Sequence, residues 1–298
     1  MTSTQAFKTA LANIAGEVNA ELDRLLPEVA GPEGRVVDAM RYAALDGGKR
    51  LRPFLAVASS DLFGVPRASS LRVGAAIEMV HCYSLVHDDL PAMDDDDLRR
   101  GRPTVHRKFD EATAILAGDA LLTEAFAVLA APDTHADGAV RAALVAELAR
   151  AAGAAGMVGG QMIDLLAGGL ALDANGLARL QNLKTGCLIA IGCRAGAVLG
   201  GQGPEVVEAL GAYGLSMGLA FQIADDVLDV EGSAAETGKA TGKDAAAGKA
   251  TFVSRLGLEG AKNYARSLAD EAVAHLVRFG EKAALLREAA AFSATRRS

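Results

Sequence analysis

Apolar residues recur along most of this chain with the 3.6-residue period of an α-helix. The strict alternation of a half-buried strand is absent over any long window, and β-branched or aromatic runs of strand length are scarce. Most prolines fall at breaks in the pattern or in first helical turns, where a helix tolerates them. The sequence therefore predicts an all-α protein, with helices over 4–26, 35–46, 51–63, 69–90, 111–130, 137–155, 158–167, 174–200, 204–230, 258–279 and 281–292.

Composition narrows the class of protein further. With 298 residues, of which 51% are hydrophobic, the chain can bury a large core. No shift in composition marks an internal boundary, so we expect residues 1–298 to form one domain. A net charge of −7 argues against a nucleic-acid partner. No uninterrupted apolar run reaches the roughly 18 residues of a membrane span, so none is predicted.

The three cysteines, Cys82, Cys187 and Cys193, fit neither a disulfide framework nor a zinc pattern. They lie in apolar helical contexts and are interpreted as reduced core thiols. Residues 1–26 lack a basic start followed by an apolar block, so no signal peptide is predicted. The simplest interpretation is a cytoplasmic enzyme.

Two aspartate clusters each follow an apolar stretch that is predicted to be helical. They are Asp88, Asp89 and Asp94 in DDLPAMD, and Asp225, Asp226 and Asp229 in DDVLD. Acidic runs are usually solvated surface, and that alternative stays open for residues 94–97. However, Asp225 and Asp229 share one helix face, where like charges are destabilising unless something offsets them. Mg²⁺ prefers oxygen ligands and shares its shell with substrate phosphates, so the pair of clusters indicates a bound diphosphate.

Basic residues near these clusters supply candidate phosphate contacts. Gly47 and Gly48 allow close backbone approach, and Lys49 and Arg52 follow them. Arginine grips a phosphate with its fork and lysine acts as a point charge. A helix-capping glycine followed by ordinary surface charges would look similar, and this alternative stays open.

Other candidates are Arg99 and Arg100 in a predicted turn, which would clamp diphosphate or simply neutralise residues 94–97. His81 lies seven residues before Asp88, on the same face of a continuous helix. Lone helical histidines are more often simply packed. Lys239 and Lys249 stand in segment 231–251, which is interpreted either as an active-site loop or as a surface loop.

Seven ordered motifs in the chain resemble the bacterial trans-isoprenyl diphosphate synthases, in particular the farnesyl diphosphate synthases. They are GGKRLRP at 47–53, YSLVHDDLPAMDDDDLRRGRPTVH at 83–106, GDALL at 118–122, GGQMIDL at 159–165, KTG at 184–186, FQIADDVLDV at 221–230, and GK at 238–239 and 248–249. The resemblance runs from about residue 35 to about residue 260. It implies a single helical bundle of ten or more helices around a central active-site cavity, usually in a homodimer.

The resemblance also implies site residues. Three Mg²⁺ ions would be held by Asp88, Asp89, Asp94, Asp225, Asp226 and Asp229. The allylic substrate, dimethylallyl or geranyl diphosphate, would be contacted by Arg99, Lys184, Thr185, Gln222, Lys239 and Lys249. Isopentenyl diphosphate would be contacted by Lys49, Arg52, His81 and Arg100. The aspartates, Arg99, Lys184 and Lys239 would thereby carry the catalysis.

The reaction expected from this resemblance is ionisation, condensation and elimination. Cations would stabilise the departing diphosphate, isopentenyl diphosphate would attack the allylic cation, and the released diphosphate would take up the proton. No protein nucleophile is needed. Water must be excluded, and closure of segment 231–251 over the site is the expected means.

Product length is expected to depend on Tyr83, which lies five residues before Asp88, about 7.5 Å deeper along a helix. A ring there would form the floor of the tunnel for the growing chain, and an ordinary core tyrosine is the alternative. The neighbouring Ser84 is small, so the block would rest on Tyr83. We therefore expect a fifteen-carbon product. The alternatives are a geranylgeranyl or geranyl diphosphate synthase, a terpene cyclase and a non-catalytic partner subunit.

Overall fold

The structure is a computed structural model that describes residues 3–26, 28–45, 47–167, 170, 172–231 and 251–295. It confirms the all-α prediction, because helices account for nearly all of its regular structure. The helices are α1 (Ser3–Leu25), α2 (Gly34–Leu45), α3 (Leu51–Asp61), α4 (Arg67–Asp88), α5 (Val105–Lys108), α6 (Glu111–Ala130), α7 (Gly138–Ala152), α8 (Met157–Leu166), α9 (Ala174–Gln181), α10 (Cys187–Leu199), α11 (Pro204–Glu231), α12 (Phe252–His275) and α13 (Ala284–Thr295).

Three further elements complete the described chain. A five-residue π-helical segment, Asn182–Gly186, joins α9 to α10, and a 3₁₀ segment, Val277–Ala283, joins α12 to α13. Two short strands, β1 (Leu98–Arg99) and β2 (Arg102–Pro103), pair antiparallel. The π segment divides the helix that the sequence predicted over 174–200.

The chain forms two compact units. The N-terminal unit comprises Lys8–Val57 and Val65–Val145, and the C-terminal unit comprises Met1–Phe7, Ala58–Gly64 and Ala146–Ser298. The expectation of a single domain over 1–298 stays a prediction.

The N-terminal unit is built around α4, which is buried on most of its surface and packs against α2 and α6. Close packing of α6 on α4 depends on Gly118, because a Cβ there would lie only 2.1 Å from Nε2 of His87. The same ring nitrogen lies 3.0 Å from the carbonyl oxygen of Ile115. Gly118 and Ile115 thereby fix the C-terminal end of α4, where the first aspartate cluster begins.

A buried ion pair ties the loop before α3 to α4. The Nη1 of Arg50 donates to Glu78 Oε1 at 2.7 Å, and the two side chains are 0% and 3% exposed. Further bonds run from Arg50 to Asn19 Oδ1 at 2.9 Å and to the Ala44 carbonyl at 2.5 Å. Because a buried charge is tolerated only when it is paired and hydrogen-bonded, this network fixes the loop that carries Lys49.

The C-terminal unit has its core where α11 and α12 pack along each other and against α9. Leu177, Leu219, Ile223, Phe252 and Leu268 belong to this core. Burial of such side chains from several helices stabilises the unit by the hydrophobic effect.

Helix α12 begins at Phe252, six residues before the predicted start at 258. Its N-cap is Thr251, whose hydroxyl accepts from the Ser254 N–H, while Ser254 Oγ accepts from the Thr251 N–H. This capping box starts the helix early. The dihedral angles of Gly257, with φ of 71°, are not helical, so α12 is kinked there. The predicted start at 258 falls directly after this kink.

Three helical stretches are long and apolar enough to cross a membrane by length and composition alone. They are Glu111–Ala130, Gly138–Leu166 and Pro204–Glu231. The sequence prediction counted only uninterrupted apolar runs, whereas these stretches tolerate a few polar positions. The absence of a membrane span therefore stays a prediction.

Close packing of α10 on α3 gives a test of the fold. A Cβ at Gly196 would lie 2.4 Å from the backbone carbon of Ser59 and from the backbone nitrogen of Ser60. Backbone atoms cannot yield like a flexible side chain, so Gly196→Ala should lower the free energy of unfolding by about 3 kcal/mol. Urea denaturation would measure this change.

The matched control is Gly16→Ala, because Gly16 is exposed within α1 and a Cβ there meets nothing within 4 Å. Alanine should raise the free energy of unfolding there by about 0.5–1 kcal/mol, from helix propensity alone. Equal effects of the two substitutions would contradict the packing described here.

Candidate active site

The first aspartate cluster is closed into a turn at the end of α4. The N–H of Asp94 donates to the Asp88 carbonyl at 2.8 Å, and Met93 and Asp95 donate to the Leu90 carbonyl at 2.9 and 3.1 Å. Asp95 takes a φ of 50° to complete the reversal. The chain therefore returns Asp94 to the helix end that carries Asp88.

Arg99 holds the buried carboxylate of Asp89. Its Nη2 donates to Oδ1 at 2.6 Å, and its Nε lies 2.8 and 2.9 Å from the two oxygens. Burial raises the pKa of Asp89, and the hydrogen bonds and charge of Arg99 oppose that rise. The carboxylate keeps further lone pairs for a cation, and the guanidinium keeps its Nη1 donors for a phosphate.

A two-residue hairpin presents the adjacent arginines. Arg99 pairs with Arg102 across the strands, and the intervening Arg100 and Gly101 have φ values of 52° and 78°. Positive φ at both central residues is what a type I′ turn requires. This turn directs Arg99 to Asp89 and Arg100 to the Gly47 carbonyl, which accepts from Nη1 at 2.6 Å.

The glycines of GGKRLRP contact the guanidinium of Arg100. Gly48 has a φ of 111°, and a Cβ there would lie 2.9 Å from both terminal nitrogens of the Arg100 guanidinium. Glycine is therefore needed at this position for its backbone conformation and for space. Lys49 follows in the same loop and is exposed. The structure thus brings together two motifs that lie about 50 residues apart in the sequence.

Arg52 and His81 lie in a strongly cationic environment within the N-terminal unit. The Nε of Arg52 is buried and has no hydrogen-bond partner among the described residues. Burial lowers the pKa of His81 well below its ordinary value, and the charges of Arg52, Arg100, Arg99 and Arg50 lower it further. His81 is therefore neutral near pH 7. A buried guanidinium nitrogen without a partner is costly, so this arrangement favours an anionic ligand.

One acidic group and three basic groups of the N-terminal unit line a cavity of about 60 Å³. Asp89, Arg99, Arg100 and Arg102 supply its charged lining, and Leu85 and Val86 of α4 supply part of its apolar lining. The cavity can therefore offer both charge and apolar surface to a ligand.

A second cavity, of about 110 Å³, lies within the C-terminal unit. It is lined by Lys184 of the π segment, Gln222 and Asp226 of α11, and Asp164 of α8. The Nζ of Lys184 lies 2.6 Å from Asp164 Oδ2. The hydroxyl of Thr185, beside Lys184, donates to Gln222 Oε1 at 3.4 Å. Residues from separate sequence motifs are thus gathered around one cavity.

The second aspartate cluster lies in the last turns of α11. Asp226 is buried, and its Oδ2 accepts the Phe252 N–H at the start of α12 at 2.9 Å. Asp225 and Asp229 are partly buried on the same helix. Lys239 and Lys249, and the segment between Glu231 and Thr251, lie outside the described residues.

The carboxylates suit Mg²⁺ that is bound by only one or two protein ligands. Among the residues that the structure describes, no group of three or more His, Cys, Asp or Glu is gathered to hold a metal ion. A closed protein cage of the kind used for structural metals is therefore not formed there. Mg²⁺ instead takes one or two carboxylates and completes its shell with water and substrate phosphates. Asp88 and Asp94, brought to one helix end, fit that requirement.

Tyr83 and Ser84 lie within the uninterrupted helix α4. The Tyr83 side chain is buried, and its ring meets the His87 ring edge-on at 5.8 Å. Ser84 Oγ donates to the His81 carbonyl at 2.8 Å and so bonds within its own helix. Of the two candidates for the tunnel floor, only Tyr83 presents a large apolar group.

All three cysteines are free thiols, and Cys82 and Cys193 are buried as predicted. Cys187 is only partly buried, so the prediction of a core thiol is wrong there. Burial raises the pKa of Cys82 to about 12, so this thiol is protonated and unreactive near pH 7.

Sequence analysis missed three residues that hold the site in place. Arg50 and Glu78 fix the loop of Lys49, and Asp164 binds Lys184. A charged residue inside an otherwise apolar helix, as at Glu78, was the available indication of a buried pair. Asp164 lies in the GGQMIDL motif, to which no role was given.

Comparisons with known proteins agree on one family. The sequence model of the family described as Polyprenyl synthetase matches residues 33–288. The chain is 46% identical to the farnesyl diphosphate synthase of Escherichia coli over 93% of both chains. It is 42% identical to geranylgeranyl pyrophosphate synthase 11 of Arabidopsis thaliana, over 97% of this chain and 82% of that one. A crystal structure of an FPP/GFPP synthase from Zymomonas mobilis matches with a TM-score of 0.89 and 47% identity, over 98% of this chain and 100% of that one.

The pair of Arg99 and Asp89 gives a stability test of the site. In Arg99→Met the Asp89 carboxylate, which is 3% exposed, would lose its cation. Because a buried charge without its partner is strongly destabilising, the free energy of unfolding should fall by about 3 kcal/mol. Adding Asp89→Asn should recover part of this loss. Chemical denaturation of the single and double variants would measure both changes.

Arg107→Met is the matched control. Arg107 contacts Asp95 and Asp97 with half of its side chain exposed, and exposed pairs contribute about 0–1 kcal/mol. A loss in Arg99→Met no larger than in this control would show that the Asp89 pair is not a buried interaction in solution.

Proposed function

The chain belongs to the polyprenyl synthetase family, and we infer from this membership that it is a prenyltransferase that makes farnesyl diphosphate. It condenses isopentenyl diphosphate head to tail with dimethylallyl diphosphate and then with geranyl diphosphate, and releases diphosphate. The observation that carries the proposal is the buried Nε of Arg52, which has no hydrogen-bond partner among the described residues and lies in the cationic environment of neutral His81. Cationic residues arranged in this manner would serve a second diphosphate, which a condensing enzyme binds and a terpene cyclase does not.

We propose that the acidic residues hold Mg²⁺, three ions in all, on the diphosphate of the allylic substrate. These residues are Asp88, Asp89, Asp94, Asp225, Asp226 and Asp229. Mg²⁺ supplies electrostatic stabilisation of the negative charge on the leaving diphosphate. The protein contributes exposed carboxylate at Asp94 and partly buried carboxylate at Asp225 and Asp229. Membership of the family supports the dependence on magnesium, and the number of ions is part of the proposal.

The cationic and polar side chains are assigned to two substrates. The allylic diphosphate is bound by Arg99, Lys184, Thr185, Gln222, Lys239 and Lys249. Isopentenyl diphosphate is bound by Lys49, Arg52, His81 and Arg100. Neutral His81 donates one hydrogen bond, while the arginines carry the charge that matches the phosphate. Fixed donors of this kind lose little freedom at the moment of reaction, which is how they lower the barrier.

The remaining steps require little of the protein beyond positioning. No side chain acts as nucleophile, because the double bond of isopentenyl diphosphate attacks the allylic carbon. The released diphosphate takes up the proton that the condensed product loses. Exclusion of water protects the allylic cation. We assign this task to segment 231–251, which lies outside the described residues except at its two ends.

A geranylgeranyl diphosphate synthase is the second candidate, because two geranylgeranyl pyrophosphate synthases of Arabidopsis thaliana are 42% identical to this chain. Both candidates share the chemistry and differ in chain length. The buried ring of Tyr83, below Asp88 in α4, favours the shorter product. A terpene cyclase and a non-catalytic subunit have less support, since the chain has both aspartate clusters and the cationic residues that are assigned to a second diphosphate.

We also propose that the protein is a homodimer that uses the outer face of α6. Ile115 and Leu116 on this face are 46% and 59% exposed. Leu116 is one helical turn from Ala112, which is exposed as well, so the apolar surface is continuous. Contiguous exposed apolar surface marks an interaction site. A second copy of the chain supplies the same apolar face to cover it. A cytoplasmic location stays a prediction.

Product analysis tests the function directly. Purified protein with Mg²⁺, dimethylallyl diphosphate and isopentenyl diphosphate should yield a fifteen-carbon diphosphate by mass spectrometry, and EDTA should abolish it. A product of twenty carbons would agree with the proposed reaction but favour the second candidate. No Mg²⁺-dependent product at all would contradict the proposed prenyltransfer.

Tyr83→Ala should lengthen the product to twenty carbons or more, because removing the buried ring deepens the apolar space below Asp88. Mass spectrometry of the end product would measure this. Ser84→Ala is the control, since the Ser84 hydroxyl bonds within its own helix. Unchanged fifteen-carbon output from a folded, active Tyr83→Ala variant would place the tunnel floor at another residue.

Leu116→Glu should dissociate the dimer, because a charge in a buried apolar interface is costly. Sedimentation velocity would report the change in mass. Val277→Glu is the control, since Val277 is 77% exposed and belongs to the 3₁₀ segment rather than to α6. If both variants keep the mass of the unmodified protein, the proposed interface is wrong.

A further inference from the structure

The GGQMIDL motif, residues 159–165, has no role in the function proposed above. It lies in α8, beside the π segment that carries Lys184 and Thr185. A π segment contains a residue more per turn than an α-helix and is frequent at functional sites. What holds this irregular segment in place therefore bears on how Lys184 is aimed.

Gly160 of the motif allows α8 to touch the backbone of the π segment. A Cβ at Gly160 would lie 2.2 Å from the nitrogen and 2.6 Å from the Cα of Lys184. It would also lie 2.8 Å from the carbonyl carbon of Leu183. Only glycine permits this approach, because backbone atoms line the contact. The backbone of Lys184 is thus fixed by the first half of the motif.

Asp164 fixes the other end of the same lysine. It lies four residues after Gly160 on α8, so both face the π segment. Its Oδ2 lies 2.6 Å from the Nζ of Lys184, and the two side chains are 16% and 26% exposed. Both groups line the cavity that also contains Gln222 and Asp226. The ammonium is therefore held at the wall of the site rather than left in solvent.

We propose that Asp164 is a positioning residue for Lys184, and that Gly160 and Asp164 together make α8 the support of the π segment. This inference rests on the proposed function, in which Lys184 binds the allylic diphosphate. A lysine ammonium has three N–H donors, so Lys184 can keep its bond to Asp164 and donate the others to a phosphate. Asp164 thereby restricts a long, flexible side chain before substrate arrives, which lowers the entropic cost of binding.

The test is a double-mutant cycle on kcat/KM for the allylic substrate, with Asp164→Ala, Lys184→Met and the double variant. If Asp164 acts through Lys184, Asp164→Ala should lower this kcat/KM by roughly tenfold to a hundredfold in the unmodified protein. The same change should have little further effect once Lys184 is methionine, because the cycle isolates the pair. The KM for isopentenyl diphosphate should stay within about twofold, since Lys184 is assigned to the allylic substrate and the cycle isolates the pair of Asp164 and Lys184.

Two controls separate positioning from general damage. Asp164→Glu keeps the carboxylate and should recover much of the lost kcat/KM. Asp173→Ala removes a carboxylate that caps α9 through the Gly176 N–H, so it should lower the melting temperature without changing the ratio of the two KM values. Additive effects of Asp164→Ala and Lys184→Met would overturn the inference while leaving the proposed function intact. An unmodified protein without prenyltransfer activity would instead overturn the function, and the inference with it.

Discussion

Twice in this chain, carboxylates lie at the C-terminal end of a long and largely buried helix. Asp88 ends α4, and Asp225, Asp226 and Asp229 lie in the last turns of α11. The helix dipole places partial negative charge at this end, so added carboxylates are least stable there. Burial increases the cost further. Much of the surrounding structure supplies positive charge or N–H donors to these two helix ends.

Each unit supplies a positive charge or an N–H donor to its aspartates in a different manner. In the N-terminal unit the hairpin of β1 and β2 carries Arg99 to Asp89. In the C-terminal unit the backbone N–H of Phe252 donates to Asp226, so the positive end of α12 faces the negative end of α11. These fixed partners satisfy one aspartate of each cluster. The aspartates would then bind the proposed Mg²⁺ ions only when substrate phosphate completes the coordination shells of the ions.

Fixed contacts of the same kind hold the cationic side chains in place. Arg50 is buried with Glu78, so the adjacent Lys49 stays on a fixed loop. Gly48 makes room for Arg100, and Gly160 makes room for the backbone of Lys184. In each case a glycine or a buried pair sets the direction of a residue assigned to a phosphate. Electrostatic preorganisation of this kind is what a reaction with a departing diphosphate requires.

Much of the fold could be predicted from local pattern, because a helix that packs on one face records its period in its own sequence. The errors arose where a local rule was overridden. The helix predicted from 258 starts directly after the kink at Gly257, and the prediction missed the turn before it that the capping box at Thr251 and Ser254 begins. The π segment was not predicted, since the apolar period of the sequence does not distinguish five π-helical residues from an α-helix. Asp164 carried no indication of its partner, because 20 residues separate it from Lys184.

By itself, the sequence determined the helical class, the two aspartate clusters and the candidate phosphate contacts, because periodicity and residue chemistry are local properties. Only the tertiary structure decided which charges are already paired, as in Asp89 with Arg99 and Lys184 with Asp164. It alone also decided that His81 is neutral, since that depends on burial and on arginines from distant parts of the chain. Electrostatic energies depend on the distances between charges and on their burial, and neither can be read from the order of the residues.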